Sequence, residues 1–329
     1  MCGFLVEFRK KDIPFSLNRF KKAGNLISHR GPDDDNFINL KNISMQFFRL
    51  SIRDLSKNGS QPMWDYSKKY LIVFNGEIYN TDYIKKLINI KNFKGTSDTE
   101  VLINLYSKFG LKIFNIIEGM YSFVIYDRDK NQCLAGRDRF GIKPLYFFND
   151  DQRIIFSSEI KPILNYKKDL RFSKKTFKDF FLKGYLDHNK NTFFEDIFSL
   201  EPSHHLTICP KKMGIKKYWS ITNSKKNKKI EKTRVMELRE LINHSVNSHL
   251  ISDREVGIFM SGGTDSTSIS QIVKKKINSQ VKSFTYDFES NERFSELDKA
   301  KKISKKLNMK NYSTIIKPED IIKNMNSIC

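Results

Sequence analysis

The chain has 329 residues, of which 39% are hydrophobic, and a net charge of +22 from 59 basic and 37 acidic side chains. This length suffices for two domains of ordinary size. The sequence has no run of 18 apolar residues, so we expect no membrane span. The N-terminus reaches charged residues 9–12 after one short apolar run, so we expect no signal peptide.

The composition also bears on partners and on compartment. A strongly positive chain could bind a polyanion such as nucleic acid, but the lysines are scattered in twos and threes, so we expect no specific nucleic-acid partner. The cysteines are far apart, with no CxxC pair and no clustered His, which argues against a disulfide framework and a zinc site and fits a reducing cytoplasm. They are Cys2, Cys133, Cys209 and Cys329.

Residues 2–8 predict a buried strand that starts at Cys2. If Met1 is removed, Cys2 carries both a thiol nucleophile and an α-amine that can accept the thiol proton. The free amine titrates near ~7.7–8.0 and the free thiol near ~8.5, so this exchange is almost balanced at neutral pH. A Cys at position two is, however, usually without function.

Residues 16–29 predict a weak helix, and residues 29–33 (HRGPD) form either a surface turn or a basic pair for an anion or carbonyl. Residues 44–52 predict a strand in which Arg49 is a charge in an apolar setting. A buried arginine needs an anionic partner, which a substrate carboxylate or a structural Asp could supply.

Residues 70–74 predict a buried strand that runs into Asn75-Gly76. Asn-Gly between apolar runs is a strong hairpin signal. The same pair could form an oxyanion hole from the Asn75 amide and the Gly76 N–H, and a tight turn would allow both. After a helix at 81–90, Asp98 precedes a helix at 101–109, where it could cap that helix or hold a substrate ammonium group.

The next segments predict an antiparallel series with helices packed on it: a hairpin of 119–127 and 132–138, then strands at 141–147 and 154–161. Residues 170–218 are less regular, with a helix at 174–182. Residues 220–232 have little apolar content and predict a linker. This places one domain at 2–219 and another at 233–329.

The second domain alternates helices (233–250, 267–277, 293–308 and a last one) with strands (255–260, 282–288, 311–317), as in a doubly wound parallel sheet. Its loop 261–266 (SGGTDS) follows a strand and opens a helix, which suits phosphate binding. Gly262 and Gly263 allow close approach, Ser261 and Ser266 donate hydroxyls, and Asp265 would hold Mg²⁺. The alternative is a βα turn with polar caps.

Together these motifs resemble glutamine-dependent asparagine synthetases and their close amidotransferase relatives. The resemblance covers almost the whole chain, in order. It rests on Met1-Cys2-Gly3, residues 29–33, Arg49-Leu50-Ser51-Ile52, residues 75–80, Ser97-Asp98-Thr99-Glu100, residues 136–146, Ser158-Glu159-Ile160-Lys161 and residues 261–266.

The resemblance implies an N-terminal-nucleophile glutaminase with an αββα sandwich, followed by a partial doubly wound ATP-pyrophosphatase domain. Cys2 would attack the glutamine amide, Asn75 and Gly76 would stabilise the oxyanion, and Arg49 and Asp98 would bind the α-carboxylate and α-amine. Backbone groups would complete the glutamine pocket at Leu50, Ser51, Ile52, Arg53 and Glu77.

The resemblance also implies that ammonia passes inside the protein to a site where ATP adenylates aspartate and asparagine forms. Met260 and Tyr286 would contact the nucleotide beside loop 261–266. The implied small-molecule partners are glutamine, aspartate and ATP with Mg²⁺, in a cytoplasmic enzyme that could be a homodimer.

Three departures from the family pattern matter. Thr264 replaces the usual Leu. Pro202-Ser203-His204 stands where Pro-Gly-His is usual, and this strains the turn if the φ of Ser203 is positive. The family's second Gly/Asp-rich loop is not found before Cys329, so we expect only part of a synthetase domain here.

Two further hypotheses stay open beside asparagine synthesis. The protein could amidate another carboxylate, such as a surface-sugar acid, or act only as a glutaminase. It could also be a basic binding module with dead sites, although Cys2, Arg49, Asn75, Gly76 and Asp98 are all present.

Overall fold

The computed structural model describes residues 1–90, 92–167, 169–221, 231–277, 281–289 and 295–328. The chain divides into two compact units, with the division between residues 225 and 226. Most of the predicted linker, residues 222–230, lies outside the described residues, as do the first two residues of the helix predicted at 293–308. In the described part of the chain, no helix is long and apolar enough to cross a membrane.

The first unit contains two six-stranded antiparallel sheets. In spatial order, sheet A consists of β10 (Ile197–Ser199), β8 (Tyr146–Asn149), β9 (Arg153–Ser157), β1 (Gly3–Arg9), β3 (Ile43–Arg49) and β2 (Asp34–Asn39). Sheet B consists of β12 (Lys212–Lys217), β11 (His204–Cys209), β7 (Gln132–Arg137), β6 (Gly119–Asp127), β5 (Tyr70–Ile78) and β4 (Met63–Trp64).

The two sheets pack face to face through a core that draws on both. Alternate residues of β1, such as Phe4 and Val6, meet alternate residues of β5, such as Leu71 and Val73. The opposite face of sheet A packs on α1 (Leu17–Asn25) and α4 (Ile160–Leu164), and that of sheet B on α2 (Thr81–Ile88) and α3 (Asp98–Phe109). These four layers confirm the predicted αββα sandwich. A further helix, α5 (Lys174–Lys183), lies close to its predicted position.

The second unit has a parallel sheet in the order β13 (Gly257–Phe259), β14 (Lys282–Phe288) and β15 (Lys310–Ile316). Its helices are α6 (Glu231–Ser248), α7 (Thr264–Lys276), α8 (Leu297–Lys306) and α9 (Pro318–Ile328). A small core joins Ile258 and Met260 to Val273 of α7 and Ala300 of α8. The parallel βα alternation confirms the predicted class of fold.

The hairpin interpretation of Asn75-Gly76 is wrong. Both residues lie inside β5, where Asn75 pairs with Ser122 and Gly76 with Tyr121 of β6. The glycine serves a close approach rather than a turn, because a Cβ at position 76 would clash with the Met120 carbonyl oxygen. β5 therefore continues four residues beyond the predicted strand end at Phe74.

Several boundaries also differ from the predictions. Residues 141–145 are a loop rather than a strand. Helices α3 and α7 each begin three residues early, because polar residues supply their first turns, with Ser97 as the N-cap of α3. The pattern missed strands that are short or lie at sheet edges, namely β2, β4, β10 and β12. It also missed β11, which lies inside sheet B in the segment predicted to be less regular.

Candidate active site

The Cys2 thiol lies at the start of β1, beside the residue that follows β3. The Leu50 N–H donates to Cys2 Sγ at 3.4 Å, and Sγ lies 3.6 Å from the Leu50 carbonyl oxygen as a donor. Burial raises the pKa of this thiol, while the hydrogen bond from Leu50 opposes the rise. The thiol is therefore protonated at neutral pH, and a nucleophilic role requires a base beside it.

The α-amine nearest to Cys2 belongs to Met1 in this structure. Burial lowers the pKa of this amine, and the positive charges of Arg30 and Lys143 lower it further. A terminal amine at this place is thus tuned toward its free-base form.

The loop 29–33 fixes the backbone of the nucleophile. Arg30 donates from Nε to the Cys2 carbonyl at 3.0 Å and from Nη1 to Glu159 at 2.9 Å. His29 lies 3.0 Å from the same Glu159 oxygen. The basic pair therefore binds a carbonyl and a carboxylate of the protein itself. The motif is thus both a turn and a pair of cations with an anion and a carbonyl as partners.

Cys2 borders a solvent-connected cavity in the first unit. The structure brings most of the predicted glutamine set to its walls: Arg49, Leu50, Ile52, Arg53, Asn75, Gly76, Glu77 and Asp98. Ser51 is not among the lining residues, and its N–H instead donates to Asp33 at 2.7 Å.

Asn75 is the lining residue with the least satisfied side chain. It is 2% exposed, and its Nδ2 has no hydrogen-bond partner among the described residues. A buried donor without an acceptor costs roughly 1–3 kcal/mol. In a cavity wall, such a donor fits an acceptor that arrives with a ligand.

Arg49 enters the cavity from the end of β3. Its Nη1 donates to the Ser56 carbonyl at 2.8 Å and its Nη2 to the Asp54 carbonyl. The hydrogen-bond partners of Arg49 in the protein are therefore backbone oxygens rather than a structural Asp carboxylate, which was one of the two predicted alternatives. A guanidinium has five N–H donors, which leaves donors for an anion in the cavity.

Glu77 and Asp98 place two carboxyl groups on one wall. Burial raises the pKa of Glu77 to about 8, and the neighbouring Asp98 adds to the rise. Burial also raises the pKa of Asp98, against the opposing charge of Arg53 and the N–H of Ile78, which donates at 2.9 Å. Ser97, not Asp98, is the N-cap of α3. A cation placed here would stabilise both ionised carboxylates.

The loop between β13 and α7 is a tight turn with a glycine in the left-handed region. Gly262 has a φ of 78°, and a Cβ there would lie 2.8 Å from the Cβ of Lys299 on α8. The Ser261 and Ser266 hydroxyls lie 3.0 Å apart, and the Gly263 N–H donates to Ser261 at 3.3 Å. The turn thus collects small donors at the N-terminus of α7, the arrangement that binds phosphate in many proteins.

The other predicted nucleotide residues lie on the adjoining strands. Met260 is buried, and its N–H donates to the Phe284 carbonyl of β14 at 2.8 Å. Tyr286 follows two residues later on β14 and is exposed. Both therefore lie toward the carboxyl ends of parallel strands, where open α/β sheets bind ligands.

Asp265 is an exposed carboxylate in the first turn of α7. Among the described residues, no three His, Cys, Asp or Glu side chains lie together in a way that could hold a metal ion. Mg²⁺ commonly uses one or two carboxylates together with substrate phosphates. The residues present thus fit a magnesium ion that a nucleotide brings with it.

The cavity has further walls that the sequence did not identify, at Met1, Gly59, Gln61, Phe74, Ser97, Thr99, Met120 and Lys143. Gln61 bonds to both backbone groups of Phe74, at 2.6 and 3.1 Å, and to Thr99 at 3.1 Å, and so supports β5 next to Asn75. Four of these residues had a signal in the sequence, since Met1, Ser97, Thr99 and Lys143 belong to the motifs at 1–3, 97–100 and 136–146.

Comparisons with known proteins agree with this geometry. Residues 1–219 match the glutamine amidotransferase domain family and residues 237–329 the asparagine synthase family. Asparagine synthetase [glutamine-hydrolyzing] 1 of Bacillus subtilis is 32% identical over 100% of this chain and 52% of its own length. A putative asparagine synthetase [glutamine-hydrolyzing] 2 of Methanocaldococcus jannaschii is 34% identical over 88% of this chain and 60% of its own. The chain thus spans about half the length of these curated relatives.

Among solved structures, glutamine phosphoribosylpyrophosphate amidotransferase of Bacillus subtilis aligns with 98% of this chain and 70% of its own. The sequence identity is 14% and the TM-score 0.47.

Proposed function

Since this chain belongs to the glutamine amidotransferase family and continues into a segment of the asparagine synthase family, we propose that it is part of a glutamine-dependent asparagine synthetase. Its first unit hydrolyses glutamine to glutamate and ammonia. The ammonia then serves the ATP-dependent amidation of aspartate to asparagine.

The observation that carries the glutaminase proposal is the convergence on one cavity of Cys2 and of Asn75 Nδ2, a donor with no hydrogen-bond partner in the described part of the chain. The same cavity has a guanidinium at Arg49 and two carboxyl groups at Glu77 and Asp98. These charges complement the α-carboxylate and α-ammonium of an amino acid. A thiol and an amide donor then remain for a side-chain carboxamide.

In this mechanism Cys2 Sγ attacks the carboxamide carbon, and the free amine of residue 2 takes the thiol proton. Asn75 Nδ2 and the Gly76 N–H stabilise the oxyanion of the tetrahedral intermediate. Its collapse breaks the C–N bond, and the leaving nitrogen receives the proton and departs as ammonia. Water then attacks the thioester and regenerates the thiol through a second oxyanion.

The second unit supports the proposed use of ATP. Loop 261–263 and the N-terminus of α7 suit a nucleotide phosphate, Met260 and Tyr286 would contact the nucleotide, and Asp265 would ligate Mg²⁺. Magnesium would neutralise phosphate charge during adenylation of aspartate. A homodimer and a cytoplasmic location stay predictions from the sequence.

The test is ammonia release from glutamine by the purified chain, with the N-terminus read by intact mass. We expect the active protein to begin at Cys2 and Cys2→Ala to abolish turnover, while Cys209→Ala, at a half-buried cysteine of β11, retains it. An active sample that keeps Met1 would contradict the mechanism, and an inactive sample that begins at Cys2 would contradict the function.

The acceptor is tested separately in the longest natural form of the protein. With glutamine, ATP and Mg²⁺, we expect asparagine from aspartate. Amidation of a sugar acid instead would support the second hypothesis, and a complete lack of glutamine turnover would support the binding module.

A further inference from the structure

The motif at residues 136–146 has no role in the mechanism above, yet it forms a rigid loop at the cavity. The Asp138 carboxylate accepts backbone N–H groups at 3.0–3.2 Å, from Tyr121, Phe140, Ile142 and Lys143. Arg137 adds bonds to the carbonyls of Lys143 at 2.9 Å and Gly141 at 2.8 Å. The backbone of Lys143 is therefore held at both its N–H and its carbonyl.

The Lys143 side chain extends from this loop into the cavity wall. The residue is 8% exposed, and its Nζ lies 3.4 Å from Met1 Sδ. The described residues give this ammonium no ion pair. Burial of a charge without a counter-ion is costly, which is unusual for a purely structural lysine.

We propose that Lys143 is a positioning residue for the nucleophile: its fixed positive charge disfavours protonation of the α-amine of residue 2 and keeps that amine available as a base. The proposal rests on the glutaminase function proposed above. Removal of Met1 takes away the side chain that Nζ contacts, so the ammonium then borders the new N-terminus.

The charged groups near this amine and along the cavity come from seven elements and loops. The cations are Arg30 before β2, Arg49 at the end of β3, Arg53 after it and Lys143; the acids are Glu77 on β5, Asp98 on α3 and Glu159 after β9. Arg30 is paired with Glu159, while Arg49 and Arg53 bond to backbone carbonyls. Burial raises the pKa of both acids on the facing wall, that of Glu77 to about 8, which weakens the negative charge opposite the cations. Burial also lowers the pKa of Lys143, so that its charge is greatest below the alkaline range.

The direct test titrates the amine without glutamine. In protein labelled with ¹³C-cysteine, the Cα shift of Cys2 reports the protonation of its amine. We expect Lys143→Met to raise the titration midpoint and Lys143→Arg to keep it near the wild-type value. Lys130→Met, at an exposed lysine of the β6–β7 turn, is the matched control and should change nothing.

A kinetic test uses kcat/KM for glutamine hydrolysis as a function of pH. At neutral pH, the kcat/KM of Lys143→Met should fall about tenfold for each pH unit by which the titration midpoint of the amine rises. At alkaline pH, kcat/KM should return to the wild-type value. An unchanged midpoint in Lys143→Met, or an equal loss of kcat/KM at every pH, would overturn the proposal. If the midpoint shifts while wild-type protein releases no ammonia, the glutaminase function fails and the electrostatic role of Lys143 stands.

Discussion

The Asn75 amide contributes a single donor, yet the mechanism assigns it a large effect. Asn75→Ala should lower kcat about 10²–10³-fold with little change in KM, because an oxyanion donor acts mainly in the transition state. Arg49→Ala should instead raise KM, since a carboxylate clamp binds ground and transition states alike. Steady-state glutaminase kinetics measure both effects.

Ser122 provides the matched control for Asn75. It lies directly across the β5–β6 pair from Asn75, is fully buried, and its hydroxyl has no hydrogen-bond partner among the described residues. Ser122→Ala should therefore keep kcat and leave the free energy of unfolding unchanged or higher. If Asn75→Ala behaved like Ser122→Ala, the oxyanion role would be refuted.

Glu77 makes the stability of the first unit depend on pH. Burial raises its pKa in the folded protein to about 8, from 4.5 for a free Glu. Below a pH of about 4.5, Glu77 is protonated in both the folded and the unfolded state, and its contribution to the free energy of unfolding is fully present. This contribution is lost as the pH rises through about 8. Glu77→Gln should raise the unfolding temperature at pH 8 relative to wild type, with little difference near pH 4.5.

The matched control for this melting experiment is Glu118→Gln, at an exposed glutamate. It should follow the wild-type curve at both pH values. Bound glutamine should reduce the difference in unfolding temperature between wild type and Glu77→Gln at pH 8, because its ammonium group stabilises the ionised carboxylates. Equal pH dependence in wild type and Glu77→Gln would contradict the buried pair.

At the level of single residues, the sequence predicted side chains whose chemistry is visible without a fold. Cys2 at the terminus and Arg49 in an apolar strand are of this kind. The carbonyl partners of Arg49 and the reach of Lys143 were not predictable, because they depend on how loops 54–60 and 138–143 close. These contacts join segments that no local pattern connects.

Strands with a continuous apolar run were predictable as elements. β1 and β14 lie within a residue or two of their predicted bounds. β2 and β12 were missed because edge strands expose much of their surface and tolerate charge, as in the sequence KMGIKK of β12. Asn75-Gly76 misled the prediction because a glycine that permits close strand approach resembles one that permits a turn.

The turn before β11 confirms the expected backbone strain at Ser203. Its φ is +65°, and its hydroxyl donates to the Arg139 carbonyl at 2.8 Å. Ser203→Gly and Ser203→Ala lose the same hydrogen bond, but only the glycine relieves the strain. Ser203→Ala should therefore have a free energy of unfolding about 1–2 kcal/mol below that of Ser203→Gly, measured by denaturant titration. Equal values would show that the turn stores no strain.

At the scale of the whole molecule, the two units differ in how completely their sheets are covered. Both sheets of the first unit have an apolar core packed against each face, and only edge strands such as β12 are largely exposed. The parallel sheet of the second unit packs on one face only, among the described residues. Its other face carries a row of largely exposed aromatic rings, Phe259, Phe284, Tyr286, Phe288 and Tyr312. Parallel sheets in α/β proteins are normally covered on both faces.

This asymmetry predicts unequal activities for the 329-residue chain tested alone. The cavity beside Cys2 brings together the thiol, the proposed oxyanion donor and the charged groups proposed to bind glutamine, so we expect robust ammonia release. The nucleotide loop has Asp265 as its one carboxylate in the first turn of α7, whereas adenylation needs the developing phosphate charge held from several sides. We therefore expect little pyrophosphate with ATP, Mg²⁺, aspartate and glutamine, and much more from any longer natural form. Strong aspartate-dependent pyrophosphate release by this chain, abolished by Asp265→Ala, would contradict this expectation. It would show that the second unit, with its three-stranded sheet, is sufficient for adenylation.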